Sequence, residues 1–146
     1  MDLILLGVNH TTAPAAIRDD LQLGPQEMGT FYAHLRQFRD LIPEVAVLST
    51  CNRTEFYGLV KDRAEADHAL RASMEAHKGV PHMNDGQYTY SRKGREVVRH
   101  LFRVASGVDS LMVGEPQILG QVREAFEVAD EHRTTGALLT RLFNSA

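Results

Sequence analysis

Short apolar runs alternate with segments of helical spacing over the first 91 residues, and this order is what most constrains the fold. Strand-length runs are predicted at residues 3–8, 45–48, 56–60 and 87–90. Helical spacing follows Pro25, and Asp62 with Glu65 resembles the capping box of a second helix that ends near His77. The resulting order, β-α-β-β-α-β, predicts an α+β, ferredoxin-like split sheet of about four strands with helices on one face.

From Arg92 onward the apolar spacing is helical throughout. One helix is predicted over residues 92–105, a second opens at Pro116, and a third begins near Gly136. We therefore expect one domain, 1–146, with a sheet part at 1–91 and a helical part at 92–146. The third helix is still amphipathic at Ala146, which predicts a fragment of a longer chain.

Composition excludes several classes of protein. The 146 residues are 43% hydrophobic and carry a formal net charge of −3, which is typical of a globular chain without a global basic field. No apolar run approaches the roughly 20 residues of a membrane span, and Asp2 stands where a signal peptide is positive. We expect a cytoplasmic protein with no membrane partner.

The sequence offers no pattern for a metal or a dinucleotide. Cys51 is the single cysteine, so neither an internal disulfide nor a multi-cysteine zinc site is possible. The seven histidines lack the i, i+4 pairing of a zinc helix. No G-x-G-x-x-G follows a strand, so a dinucleotide site of that type is not encoded. We predict no metal site.

Cys51 is the strongest candidate for chemistry. It follows the strand predicted at 45–48, within a polar segment, 49–55, that separates two strands. If the charge of Arg53 is close, it would favour the thiolate, which is the form that attacks. The alternative is a small buried apolar residue, against which the polar neighbours argue.

His100 and four arginines are the candidates on the helix predicted at 92–105. His100 lies at the border of the apolar face, where it could transfer a proton or cap the edge of the core. The opposite face carries an arginine stripe, formed by Arg92, Arg95, Arg99 and Arg103. The stripe is either a local positive patch or a solvated helix face.

The helix that opens at Pro116 carries further polar candidates. Gln117 and Gln121 share one flank, where two amides could bind a small polar ligand or simply face water. Glu115 stands at the helix N-terminus, where the helix dipole alone would favour it.

Four blocks of sequence resemble glutamyl-tRNA reductase. They are GVNHTTAP at 7–14, STCNRTE at 49–55, HLFRVASG at 100–107 and GEPQILGQV at 114–122. The blocks occur in the order of the family and extend over essentially the whole chain. Together they are specific, although each alone would be modest evidence.

The resemblance implies the N-terminal catalytic domain of that enzyme. The family reduces glutamyl-tRNA to glutamate-1-semialdehyde with NADPH, the first committed step toward 5-aminolevulinate and the tetrapyrroles. Its cysteine, matched here by Cys51, attacks the aminoacyl ester and holds glutamate as a thioester, and His100 matches a histidine important for activity. The match also implies a glutamate pocket lined by Thr50, Asn52, Arg53, Ser110, Glu115, Pro116, Gln117 and Gln121.

The charges of the substrate suggest two of these roles. The guanidinium fork of Arg53 suits the γ-carboxylate, and Glu115 is a weaker candidate for the α-ammonium. We also predict that the arginine stripe contacts tRNA.

The full-length family continues into an NADPH-binding domain and a helical dimerisation domain, and neither is expected in this chain. The resemblance therefore implies that this chain alone binds no cofactor and does not perform the reduction. It implies a homodimer for the full-length family and glutamate-1-semialdehyde aminomutase as a candidate partner.

The competing interpretation is a non-catalytic RNA-binding module. Sheets of that class stack bases on exposed aromatic residues, and Phe56, Tyr57, Tyr88 and Tyr90 are available. Because Phe56 and Tyr57 are adjacent, they must point to opposite faces. A thiol peroxidase or disulfide exchanger would lack a resolving cysteine within the chain.

Overall fold

A four-stranded antiparallel sheet forms the centre of the molecule. The computed structural model describes residues 1–108 and 117–146. The strands are β1 (Asp2–Asn9), β2 (Glu44–Ser49), β3 (Arg53–Val60) and β4 (Tyr90–Lys93), in the spatial order β2-β3-β1-β4. This order confirms the predicted α+β, ferredoxin-like arrangement. The central strand β1 pairs with β3 along its whole length, from Asp2 opposite Val60 to Asn9 opposite Arg53.

The helices agree with the sequence pattern except at their ends and except for the first helix, which the pattern does not predict. In the described residues they are α1 (Ala15–Leu21), α2 (Pro25–Leu35), α3 (Arg63–Lys78), α4 (Arg95–Ala105), α5 (Gln117–Glu131) and α6 (Ala137–Ser145), with short 3-10 turns at Arg36–Phe38 and His82–Asn84. The Asp62 carboxylate accepts a hydrogen bond from the Glu65 amide at 2.9 Å and caps α3 as predicted. None of the helices of 1–108 and 117–146 is long and apolar enough to cross a membrane.

The boundary between β4 and α4 differs from the prediction. The strand lies at Tyr90–Lys93 instead of 87–90, so Arg92 belongs to a strand and the helix begins at Arg95. The side chains of this edge strand are largely exposed, and its register is set by pairing with β1 rather than by an apolar pattern. Gly94, at φ 59°, separates the two elements in a conformation that favours glycine.

Helices cover both faces of the sheet. Phe56 contacts Phe31 of α2 with ring centroids 5.8 Å apart, whereas its neighbour Tyr57 contacts Phe143 of α6 at 5.6 Å. Adjacent strand residues point to opposite faces, so α2 and α6 lie on different sides. The prediction of helices on one face is therefore incomplete, because the C-terminal helices cover the other face. Both aromatic rings are 0% exposed, and neither can stack an RNA base as the competing interpretation requires.

Candidate active site

A tight turn between β2 and β3 displays Cys51. The Thr50 amide donates to the Arg53 carbonyl at 2.8 Å, and the Asn52 amide donates to the Thr50 hydroxyl at 3.2 Å. Thr50 is buried by this arrangement, while Cys51 is exposed. The alternative of a small buried apolar residue is therefore wrong. The turn places the thiol at the end of the sheet, as expected.

Arg18 of α1 braces this turn. Its Nε donates to the Cys51 carbonyl at 3.2 Å, and its Nη1 donates to the Ala13 carbonyl at 2.8 Å. One guanidinium thus ties the cysteine turn to the loop that follows β1. Sequence reasoning missed Arg18, since it lies 33 positions from Cys51 on a short helix that the apolar pattern does not reveal.

The polar segment predicted between the strands is shorter than expected, because β3 begins at Arg53 rather than at Phe56. Arg53 and Glu55 are 1% and 0% exposed, and they form an ion pair with Nη1 and Oε2 3.3 Å apart. Two opposite charges at i and i+2 share one face of a strand, so they can be buried as a pair. The guanidinium of Arg53 is therefore buried in the fold, whereas Cys51, two residues before it, is exposed.

Glu55 is the centre of a buried polar cluster. Its carboxylate accepts from Tyr57 Oη at 2.8 Å, from His100 Nε2 at 2.5 Å and from the Tyr90 hydroxyl, in addition to Arg53. The sequence pattern does not reveal the central place of Glu55. The available signal was an acidic residue placed directly before an apolar strand and two residues after an arginine.

The cluster keeps Glu55 ionised. Burial alone would raise the pKa of this carboxyl, but the hydrogen bond from His100 and the charges of Arg53 and His100, with the Tyr90 hydroxyl, outweigh it and lower the pKa. In turn, burial and the neighbouring Glu55 raise the pKa of the Tyr57 hydroxyl well above its usual value, so Tyr57 remains a donor.

His100 is oriented by this carboxylate. An ionised carboxylate only accepts hydrogen bonds, so the proton of that bond is on Nε2 of His100. In the neutral ring, Nδ1 is then the nitrogen that can accept a proton. The side chain is 14% exposed and lines a groove of about 350 Å³. No hydrogen bond within the described residues joins His100 to Cys51.

Gly7 permits the close approach of Glu55 and Tyr90. Gly7, in β1, lies opposite Glu55 of β3 on one side and opposite Tyr90 of β4 on the other. A Cβ at this position would stand 2.9 Å from Glu55 Cγ and 3.0 Å from the Tyr90 hydroxyl. Only a residue without a side chain leaves room for both contacts.

Of the remaining pocket candidates, the structure describes Gln117 and Gln121. Gln121 lines a cavity of about 170 Å³ together with Ser49, the residue before Thr50. Gln117 is exposed at the first position of α5. Ser110, Glu115 and Pro116 lie outside the described residues. The predicted opening of the helix at Pro116 therefore cannot be compared, but α5 begins at the next residue.

The arginine stripe is divided by the structure. Arg92, on β4, and Arg99 and Arg103, on α4, line the groove that His100 also lines. Arg95 is not among the lining residues. The prediction of one helix face carrying all four arginines is therefore wrong, because Arg92 precedes the helix.

The described residues do not fit a nicotinamide dinucleotide. The sheet of the described ranges is entirely antiparallel, whereas the crevice of a dinucleotide fold forms where parallel strands end. Nor do residues 1–108 and 117–146 contain a cluster of three or more side chains that could hold a metal ion.

Sequence comparison identifies the family. Residues 6–146 match the family model described as "Glutamyl-tRNAGlu reductase, N-terminal domain". The chain belongs to this family. It is 40% identical over 144 residues to a glutamyl-tRNA reductase of Desulfatibacillum aliphaticivorans, covering 99% of this chain and 33% of that protein. It is 44% identical over 143 residues to a glutamyl-tRNA reductase of Xanthomonas campestris pv. phaseoli, covering 98% and 32%.

A solved structure agrees with this assignment. The glutamyl-tRNA reductase of Methanopyrus kandleri superposes with a TM-score of 0.77 at 28% identity, covering 98% of this chain and 32% of that one. The chain thus spans about one third of the length of the glutamyl-tRNA reductases it matches.

Proposed function

We propose that this chain carries the acyl-transfer step of a glutamyl-tRNA reductase, with Cys51 as the nucleophile. The observation that carries the proposal is the exposed thiol on a braced turn, two residues before the buried pair of Arg53 and Glu55. In this step the Cys51 sulfur bonds to the ester carbon. The ester C–O bond breaks, and the terminal ribose oxygen of the tRNA leaves with a proton. The product is a glutamyl thioester.

His100 is proposed to move protons in this step. Glu55 holds Nε2, which leaves Nδ1 to take a proton from the thiol and return it to the leaving oxygen. Because the described residues show no direct bond between His100 and Cys51, the transfer would run through the bound substrate or a water molecule. Glu55 is then a positioning residue, since it acts through His100.

The glutamate pocket is proposed around the same turn. Arg53 remains our candidate for the γ-carboxylate, because its ion pair with Glu55 fixes one edge of the guanidinium in the strand. Thr50 and Asn52 flank the thiol, and Gln121 reaches the neighbouring cavity. By the family resemblance we add Ser110, Glu115, Pro116 and Gln117, with Glu115 as the weaker candidate for the ammonium.

The reduction of the thioester is proposed for the whole reductase and not for these residues. On the family resemblance, NADPH is the hydride donor and glutamate-1-semialdehyde the product, on the route to 5-aminolevulinate and porphyrins. The same resemblance suggests a cytoplasmic homodimer, with glutamyl-tRNA as substrate and glutamate-1-semialdehyde aminomutase as a candidate partner. It also suggests that 1–146 is the catalytic domain.

Mass spectrometry of the intact chain tests the nucleophile. After incubation with glutamyl-tRNA, we expect one glutamyl adduct that maps to Cys51 and is cleaved by hydroxylamine, as a thioester is. Cys51→Ser should form none, because a serine hydroxyl with no strong base beside it is hardly ionised at neutral pH.

Asn52→Ala is the matched control, since it alters the same turn and keeps the thiol. It should still form the adduct, more slowly. An adduct of the parent that persisted in Cys51→Ser would remove Cys51 from this role.

A further inference from the structure

The groove beside His100 is lined mainly by positive charges. Three guanidiniums, of Arg92, Arg99 and Arg103, face one carboxylate, Glu96, although the chain as a whole has a net charge of −3. The hydroxyl-bearing Thr11 also lines it. Cations and hydroxyls are the side chains that contact phosphate oxygens in nucleic-acid complexes.

The arginines are arranged so that an anion can reach them. Arg99 pairs with Glu96 at 3.4 Å, but both side chains are more than half exposed, so the pair contributes little and exchanges readily. Arg92 lies over the Tyr90 ring, 5.7 Å from its centroid, and donates to the Ser91 carbonyl at 2.8 Å. These contacts hold its guanidinium at the groove wall.

The spacing along α4 suits a chain of phosphates rather than a single one. Arg99 and Arg103 are one turn apart, which separates them by about 6 Å along the axis. That spacing is similar to the distance between successive phosphates of a nucleic-acid strand. Phe102, on the same helix, is 41% exposed, and exposed aromatic rings stack on unpaired bases.

The groove opens at the same end of the sheet as the thiol. Asn9 lines the groove and lies directly opposite Arg53 where β1 pairs with β3. Arg53 in turn follows Cys51 by two residues. Arg18 further ties the Cys51 turn to the loop after β1 that contributes Thr11.

We propose that this groove binds the sugar–phosphate backbone of the substrate RNA near its aminoacylated end, with Arg92, Arg99 and Arg103 contacting phosphates. The proposal rests on the proposed function, which makes an RNA the substrate of this site. It assigns the contact to the three groove arginines and excludes Arg95, which is on the same helix but does not line the groove.

Binding of an unacylated tRNA-Glu transcript to the 146-residue chain, followed by fluorescence anisotropy over a range of salt concentrations, tests this assignment. In R99Q/R103Q, log K against log salt should be less steep by about 1.4 to 1.8, because each lost phosphate contact removes about 0.7 to 0.9. R63Q/R95Q removes the same charge from exposed positions outside the groove and should keep the slope of the parent.

Three results would overturn the proposal. An unchanged slope in R99Q/R103Q would remove the arginines from RNA contact. An equal decrease of the slope in R99Q/R103Q and in R63Q/R95Q would show an effect of net charge alone. If the 146-residue chain bound NADPH, and R99Q/R103Q lost that binding while RNA binding stayed intact, the groove would be a dinucleotide site instead.

A glutamyl ester of adenosine, which has no phosphate, separates this inference from the proposed function. It should acylate Cys51 equally in the parent and in R99Q/R103Q. If it and glutamyl-tRNA both fail to acylate the parent, the proposed function is wrong, while the salt slopes still decide whether the groove binds RNA.

Discussion

Gly7 shows how a single missing side chain can set the geometry of a site. A Cβ at this position would stand within about 3 Å of Glu55 Cγ and of the Tyr90 hydroxyl, which leaves no room for it. Gly7→Ala should therefore destabilise the fold by about 1–3 kcal/mol, the usual cost of overpacking. The measurement is the urea midpoint of unfolding.

Gly86→Ala is the control for Gly7→Ala. Gly86 is exposed, and a Cβ there would meet nothing within 4 Å. Its unfolding midpoint should stay close to that of the parent. Equal effects of the two substitutions would show that the space beside Glu55 is not limiting.

Arg53 can be tested by keeping its charge and changing its shape. Arg53→Lys retains a cation beside Glu55 but loses the planar fork that binds a carboxylate through two hydrogen bonds. Discrimination between glutamyl and glutaminyl esters should therefore fall, measured as the ratio of Cys51 acylation rates with the two esters. If that ratio does not change, Arg53 acts only as the partner of Glu55.

At the scale of elements, Glu55 joins β3 to β4 and α4, and this tie depends on pH. Because the pKa of Glu55 is lowered in the folded chain, its contribution to stability is present above its ordinary value of 4.5 and is lost as the pH falls through the lowered pKa. Glu55→Gln leaves Arg53 as a buried charge without this carboxylate and should cost about 3–5 kcal/mol at pH 7.

The difference in the free energy of unfolding between Glu55→Gln and the parent should become smaller in acid. The parent then loses the ionised carboxylate that the variant lacks at every pH. Urea unfolding at pH 7 and at pH 3 measures this change. Asp67→Asn is the control, since its pair with Arg71 is partly exposed and should contribute only about 0.3–0.5 kcal/mol. A cost of Glu55→Gln that is equal at both pH values would contradict the role of the carboxylate charge.

The elements that the sequence predicts well are those whose burial follows a simple period. The strand at 45–48, the helix after Pro25 and the cap at Asp62 all appear where the pattern places them. The pattern fails at β4, whose exposed side chains carry no apolar signal, and at the start of β3, where a buried ion pair resembles a loop. Hydrophobicity alone cannot identify charges that are buried together.

The same limit applies to the candidate site. The sequence singled out Cys51 and His100, because one is the single thiol and the other lies at a helix border. It could not find Arg18 or the central place of Glu55, since both depend on contacts across 33 and 45 positions of the chain. Contacts over such separations are set by the packing of the sheet and not by local spacing.

At the scale of the whole molecule, the chain should form the thioester without completing a reduction. The described residues offer no dinucleotide site, so the glutamyl group would leave Cys51 only by slow transfer to water or to the released tRNA. We expect weak, NADPH-independent release of glutamate from labelled glutamyl-tRNA, absent in Cys51→Ser. His100→Asn should retain more of it, with a loss of up to about 10²–10⁴-fold. If addition of NADPH raised the release of glutamate, the expectation that this chain acts without the cofactor would be contradicted.

The covering of the sheet by late helices has a consequence for how the chain is made. The face that carries Tyr57 and Glu55 is closed by residues from Arg95 onward, which are synthesised after all four strands. At a synthesis rate of about 5–20 residues per second, the completed strands wait roughly 3–10 s for these helices. During that interval the turn that carries Cys51 can form, while Glu55 is not yet covered by α4. In a nascent chain the turn of Cys51, our proposed nucleophile, can therefore form before His100, our proposed proton-transfer residue, is bound by Glu55.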